Sequence, residues 1–206
     1  VKIQAPTIAA CNDKRQQIIQ AASEAFLQKG YQNTSMEAIA NEAGVAKQTL
    51  YNYFGNKDAL FEEVVNLLCN FDSKQLRSEE VGADSVEQVL QAYAQGLLAD
   101  IVSTENTALF RMMIAEAIHF PTLGKMFFEA GMERDRLLLV QFLQRQHQAG
   151  SLYIDDVEQA ALFIQGALNT YFRPRYIMTG ETPDHETLQK YINYCIGKIL
   201  KLYQPS

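Results

Sequence analysis

Apolar residues along the chain recur at intervals of three and four, seldom at alternate positions. Ile18, Ala22, Ala25 and Phe26 share one helical face, and Leu60, Phe61, Val64, Val65 and Leu68 share another. Alternation of β-branched residues, the mark of half-buried strands, is nearly absent. Proline stands at 6, 121, 174, 183 and 205, so residues 7–120 contain none and are helix-permissive. The pattern predicts an all-α protein. Gly30, Gly44 and Gly55 cut the first sixty residues into short pieces, because glycine readily takes the left-handed conformation that ends a helix. Helices are expected near 12–29, 35–42, 46–53 and 57–76, then near 84–103, 106–118, 122–148, 155–178 and 184–203. Short helices in front and long ones behind divide the chain into residues 1–60 and 61–206.

Within the first part, Thr34-Ser35-Met36-Glu37 fits a capping box, a hydroxyl and a carboxylate satisfying backbone donors at a helix start. Ile39 and Ala40 then face inward, Gly44 follows four residues after Ala40, and Leu50 six after Gly44. This is the spacing of a helix-turn-helix. The small residue permits close approach, the glycine permits the turn, and the aliphatic residue sets the crossing angle. Val45 and Phe54 complete a small core, and Ile18, Ala22 and Phe26 supply its third wall. With Leu50 inward, Lys47, Gln48, Thr49, Tyr51, Asn52 and Tyr53 cover the remaining surface of the second helix. Amides can pair with adenine, lysine can reach guanine, and a threonine methyl can pack on thymine in a groove that admits a helix. The tyrosine hydroxyls and Lys57, at the opening of the next helix, suit phosphate contact, helix N-termini add backbone donors for the same oxygens, and Thr34 and Ser35 join the DNA-binding set.

The full chain has 206 residues, 48% hydrophobic and 20% charged, a globular composition with ample core. No apolar run is long enough to span a bilayer, and no secretory segment is evident, so a cytoplasmic protein with no membrane partner is expected. Cys11, Cys69 and Cys195 are far apart and odd in number, which disfavours a disulfide framework. A net charge of −6 argues against nucleic acid if taken alone. Its distribution removes that objection. Residues 1–60 hold six basic and five acidic side chains, whereas residues 61–206 hold 12 and 19.

The run from Arg15 through Phe61 resembles the DNA-binding region of the TetR family of transcription regulators. The resemblance rests on Ile19, Ala22, Phe26 and Gly30-Tyr31, on Thr34-Ser35-Met36 and Ile39-Ala40, and on Ala43-Gly44-Val45. Thr49-Leu50-Tyr51-Asn52-Tyr53-Phe54 and Lys57-Asp58-Ala59-Leu60 extend it. Tyr53 stands where such proteins often have His, and Gln48 where they often have Gly. The resemblance implies a homodimer with N-terminal reading heads on a partly palindromic double-stranded operator. It further implies a C-terminal domain that binds a small effector and dimerises, usually to release a repressed target.

The second part is less informative. A largely apolar effector is expected near the aromatic and sulfur-bearing cluster, with Tyr93, Phe110, Met113, Glu116, His119, Phe120, Phe127, Met132 and Phe163 as candidate lining residues. Glu116 and His119 share a helical face but lack the further ligands of a metal site, and no cofactor is implied. Arg173-Pro174-Arg175 marks a kink or helix end. The apolar stripes of 155–178 and 184–203, with Ala160, Gly166 and Ala167 permitting close approach, suggest a four-helix dimer interface; packing within one subunit competes with that reading. Nucleotide-binding, zincin and C-x-x-C motifs are missing, so an all-α enzyme is disfavoured. A helical protein-interaction module is the other alternative, and the polar character of 46–53 counts against it.

Overall fold

The computed structural model describes residues 14–68, 74–77 and 86–205, and every described regular element is helical. The first unit comprises α1 (Lys14–Lys29), α2 (Met36–Glu42), α3 (Lys47–Phe54) and α4 (Lys57–Leu68). Ile18, Ala22, Ala25 and Phe26 of α1 close over Ile39 and Ala40 of α2 and Leu50 and Phe54 of α3, all buried. Gly44 turns the chain between α2 and α3 at φ +64°, a conformation that disfavours any side chain with a Cβ.

The cap of α2 is one residue later than the sequence suggests. Ser35 is the N-cap, its Oγ accepting from Ala38 N at 3.1 Å. Thr34 points inward instead, its hydroxyl 2.7 Å from Gly30 O, and it is buried. Glu37 therefore closes no box and lies 3.6 Å from Lys47 Nζ.

After α4 come the short α5 (Lys74–Arg77) and the longer helices α6 (Val86–Ile101), α7 (Thr104–Glu116), α8 (Pro121–Phe128) and α9 (Arg134–Gln148). Then follow α10 (Val157–Asn169), α11 (Phe172–Thr179) and α12 (His185–Tyr203). Of the helix expected over 57–76, residues 69–73 lie outside the described residues, as do Cys11, Cys69 and Phe71. Two long predicted helices are interrupted. A π-helical turn, Glu129–Glu133, separates α8 from α9, and π turns inside helices commonly accompany functional sites. Pro174 explains the other break. It lacks an N–H and its ring clashes with the carbonyl four residues back, which is Thr170, where α10 ends.

The second core joins α6, α9, α10 and α12 through Leu90, Leu97, Leu98, Phe142, Ile164 and Ile196. The stripe offered for dimerisation is largely consumed there. Ala160, Ala161, Ile164, Leu168, Ile192, Cys195, Ile196 and Ile199 are buried within one subunit. Phe163 and Tyr194 remain outside, 53% and 64% exposed.

Candidate functional site

On the surface of the first unit, α3 turns Lys47, Gln48, Tyr51, Asn52 and Tyr53 to solvent, with Thr49 half-buried. Leu50 is fully buried, so the helix cannot roll about its axis without exposing its anchor. Gln48 Nε2 donates to Asn52 Oδ1 at 3.0 Å, pre-ordering two amides on one face. Such a face can hydrogen-bond to base edges, and Ser35, exposed at the start of α2, stands beside backbone donors suited to an anion. Thr34 leaves this set because it is buried. Lys57 turns away from it: its ammonium lies 4.2 Å above the Tyr31 ring and 3.4 Å from Gln32 O.

Lys57 belongs instead to the junction between the two units. Burial lowers its pKa, while Glu116 and Asp58 oppose that shift. Tyr31 donates to Asp58, and burial followed by that partnership raises the phenol pKa. Gln32 N donates to Glu116 Oε1 at 3.4 Å, and the same oxygen would lie 2.9 Å from a Cβ on Gly30. The φ of +79° is what calls for glycine there, since the carboxylate oxygen ends a flexible side chain that can move aside. Apolar contacts reinforce the junction. Phe26, Tyr31 and Phe61 form an aromatic cluster that Phe120 joins at 5.2 Å, and Leu109, Met113, Leu123 and Phe127 belong to the same core.

A cavity of about 360 Å³ opens between α6, α7, α8, the π turn, α9 and α10. Its apolar wall includes Leu97, Leu109, Phe110, Phe127, Met132 and Leu138, and Phe128 and Leu162, each about half exposed, form the rim. The π turn contributes Gly131, Met132 and Glu133. Polar groups come from five helices, α11 supplying Arg173. Asp100 accepts from Asn106 Nδ2, and Asp135 Oδ2 accepts from Tyr93 Oη at 2.7 Å and Gln165 Nε2 at 2.8 Å. Tyr93 is fully buried behind the wall, and burial, then Asp135, pushes its phenol pKa upward. Arg173 lies 4.9 Å from the Phe110 ring centroid and 3.5 Å from Asn169 Oδ1.

Of the candidate lining residues, Phe110, Phe127 and Met132 reach the cavity, and Tyr93 stands one hydrogen bond behind it. Met113 and Phe120 pack at the junction, Glu116 bonds to Gln32 there, and His119 and Phe163 are exposed. These five do not line the cavity. Asp100, Asn106, Asp135, Gln165 and Asn169 were missed. One signal was available: Asp100 interrupts the apolar run Leu97-Leu98-Ala99-Asp100-Ile101 at a helical position facing the core. Cys195 is a free buried thiol whose pKa burial raises, opposite to what a reactive cysteine needs.

Burial moves the Asp100 pKa from 3.8 to about 6, against Arg173 and with Asp135. A carboxyl pKa raised by folding means that the folded state holds its proton longer. This group's contribution to stability is therefore fully present below about pH 4 and is lost as pH rises through 6, a change of roughly 3 kcal/mol. Asp100→Asn is expected to flatten that slope and to raise stability at pH 7.5, as urea unfolding between pH 4.5 and 7.5 would show. A less stable Asn variant at pH 7.5 contradicts this.

Residues 18–64 match the family model described as bacterial regulatory proteins, tetR family, and residues 88–205 match that of the AefR-like transcriptional repressor C-terminal domain. The second match alone covers more than half of the chain. The chain belongs to the TetR family. A solved TetR-family structure from Mesorhizobium loti MAFF303099 is 31% identical, covering 93% of this chain and 96% of that one, with a TM-score of 0.80. The flavonoid-responsive regulator FrrA is 29% identical, with 93% and 97% covered and a TM-score of 0.76. Among curated relatives, the regulator HbdR of Aromatoleum sp. (strain CIB) is 37% identical over 81 residues, 39% of this chain and 35% of that protein. A Bacillus subtilis regulator, YhgD, is 41% identical over 56 residues, 27% of this chain and 29% of its own. The match thus spans about a third of the length of these two curated relatives. Among the described residues of this TetR-family chain, no helix is long and apolar enough to cross a membrane.

Proposed function

We propose that the protein is a sequence-specific DNA-binding transcription regulator, a cytoplasmic homodimeric repressor that leaves a partly palindromic operator when a small, largely apolar molecule enters the cavity. One observation carries this reading: an exposed amide and hydroxyl face on α3 sits on a head whose apolar core continues, through Phe127, into the cavity wall. Phe127 packs at 5.5 Å against Phe110, which lines the same cavity. A molecule pressing on this pair acts on a core that includes Val64 and Val65 of α4. It can shift the heads only by binding one arrangement better, and a near-complete switch requires roughly 10⁴-fold preference, about 5.5 kcal/mol. The AefR-like repressor match supports repression, and the flavonoid response of FrrA supports an aromatic effector here. The division near residue 60 is functional: the head core continues past it into α4, so α4 is the connecting element. Dimerisation is assigned to the outer faces of α10 and α12, where Phe163 and Tyr194 are exposed and a Cβ on Gly197 would meet nothing.

Anisotropy titration against the DNA flanking the protein's own gene tests this. Sequence-specific retention is expected, with protein mass in solution twice the 23.3 kDa of one chain. With few cations per head, log affinity should fall by about 0.9 per neutralised phosphate over only a handful of phosphates. Absence of specific retention at moderate salt rejects the reading.

A further inference from the structure

We infer that the cavity selects an uncharged aromatic molecule carrying hydroxyl donors at one end, and discriminates against ligands that end in a carboxylate, a phosphate or an ammonium group. This rests on the reading of the cavity as the effector site.

The polar groups of the cavity are arranged by charge as well as by position. Asp100 and Asp135 both line it, from α6 and α9, and Arg173 lies near enough to Asp100 to favour its ionisation. An anionic group placed at this end meets two carboxylates in a desolvated wall, where like charges are least screened. The cations nearby are already committed. Arg136 pairs with Glu133 at 2.7 Å and with Glu158, Arg173 bonds to Asn169 and covers the face of Phe110, and Arg134 is likewise engaged. An ammonium group would have to share these carboxylates with Arg173, whose like charge already occupies the same end. A neutral hydroxyl escapes both penalties. An ionised carboxylate has about four lone-pair sites, and Asn106 uses one of those on Asp100, so a ligand O–H can donate to it without displacing an internal bond.

The rest of the cavity favours a flat ring. Phe110 and Phe127 meet edge to face at an interplanar angle of 72°, and Met132 and Phe128 close around them. Aromatic faces and a polarisable thioether receive an aromatic ligand well. A volume of about 360 Å³ holds a two- or three-ring molecule and little more.

Three matched probes and a cationic control, 4-(aminomethyl)stilbene, test the inference by calorimetry on the protein at pH 7.5: 3,4-dihydroxystilbene, unsubstituted stilbene, and stilbene-4-carboxylate. The diphenol is expected to bind about tenfold or more tightly than either comparison, since a hydrogen bond to a charged acceptor is among the stronger neutral-ligand contacts. Asp100→Asn is expected to weaken the diphenol about tenfold, leave stilbene unchanged and narrow the carboxylate's disadvantage. Urea unfolding of the variant confirms that it is folded. Tightest binding by the carboxylate, by 4-(aminomethyl)stilbene as a cationic control, or by unsubstituted stilbene overturns the inference, as does binding of none. Operator anisotropy with each probe separates this from the parent reading. A carboxylate that binds tightest and releases DNA leaves the regulator intact and removes only the proposed selectivity; a protein that retains no DNA fails the parent reading whichever probe it binds.

Discussion

Phe61→Ala is expected to lower the free energy of unfolding by about 3–5 kcal/mol, the range for deleting a fully buried aromatic side chain. Phe61 has no exposed surface, and its ring meets those of Phe26 and Tyr31, each at 5.1 Å and close to edge-on. Its loss removes area from water and leaves a hole that the packed helices α1 and α4 cannot both collapse into. The position also lies between the units. Tyr31 passes the contact on to Phe120 at the start of α8, and α8 carries Phe127 to the cavity. The variant should therefore lose head stability and effector response together. Urea unfolding by circular dichroism checks the first, with Tyr153→Ala, largely exposed and in neither the head nor the assigned dimer face, as a control expected to cost well under half as much. A loss below 1.5 kcal/mol, on the order of an ordinary surface-to-core mutation, shows that the cluster relaxes around the gap and is not the pillar between the units.

Local spacing made the head legible. Ile39, Ala40, Gly44 and Leu50 are set by contacts within fifteen residues, and such contacts write themselves into sequence as period and punctuation. The cap at Ser35 slipped by one because Thr34 and Ser35 are chemically equivalent caps, and only burial of Thr34 beneath α1 decides between them. Lys57 and Glu116 read as a phosphate contact and an effector contact, yet they meet at the junction, 59 positions apart in the chain. Periodicity says that a side faces inward; it does not say which distant helix covers it. The cavity was obscured for the same reason. Asp100, Asn106, Asp135, Gln165 and Arg173 come from five helices, and each alone looks like an ordinary polar residue. Pro174 was the exception. Its missing N–H dictates a break four residues earlier whatever the tertiary context, and the break is there.

Replacing Gln48 and Asn52 together with alanine is expected to cost far more in operator affinity than in stability. Both side chains are exposed and bond to each other, so their removal opens no cavity and strands no buried group. The melting temperature should move little. If the amides read base edges, each well-formed pair is worth about 1–3 kcal/mol of discrimination, and a two-headed protein loses it twice. Specific affinity should then fall by about 30-fold to 10⁴-fold, with non-specific binding nearly unchanged. Lys47→Ala provides the contrast. Its ammonium lies beside Glu37 at the edge of the reading face, so it should weaken all DNA alike and reduce the salt slope by about one per lost phosphate contact. Anisotropy titrations of both variants on specific and scrambled duplexes at two salt concentrations distinguish base reading from phosphate anchoring. Equal losses on the two duplexes for the amide variant would assign α3 to anchoring and move sequence reading elsewhere on the head.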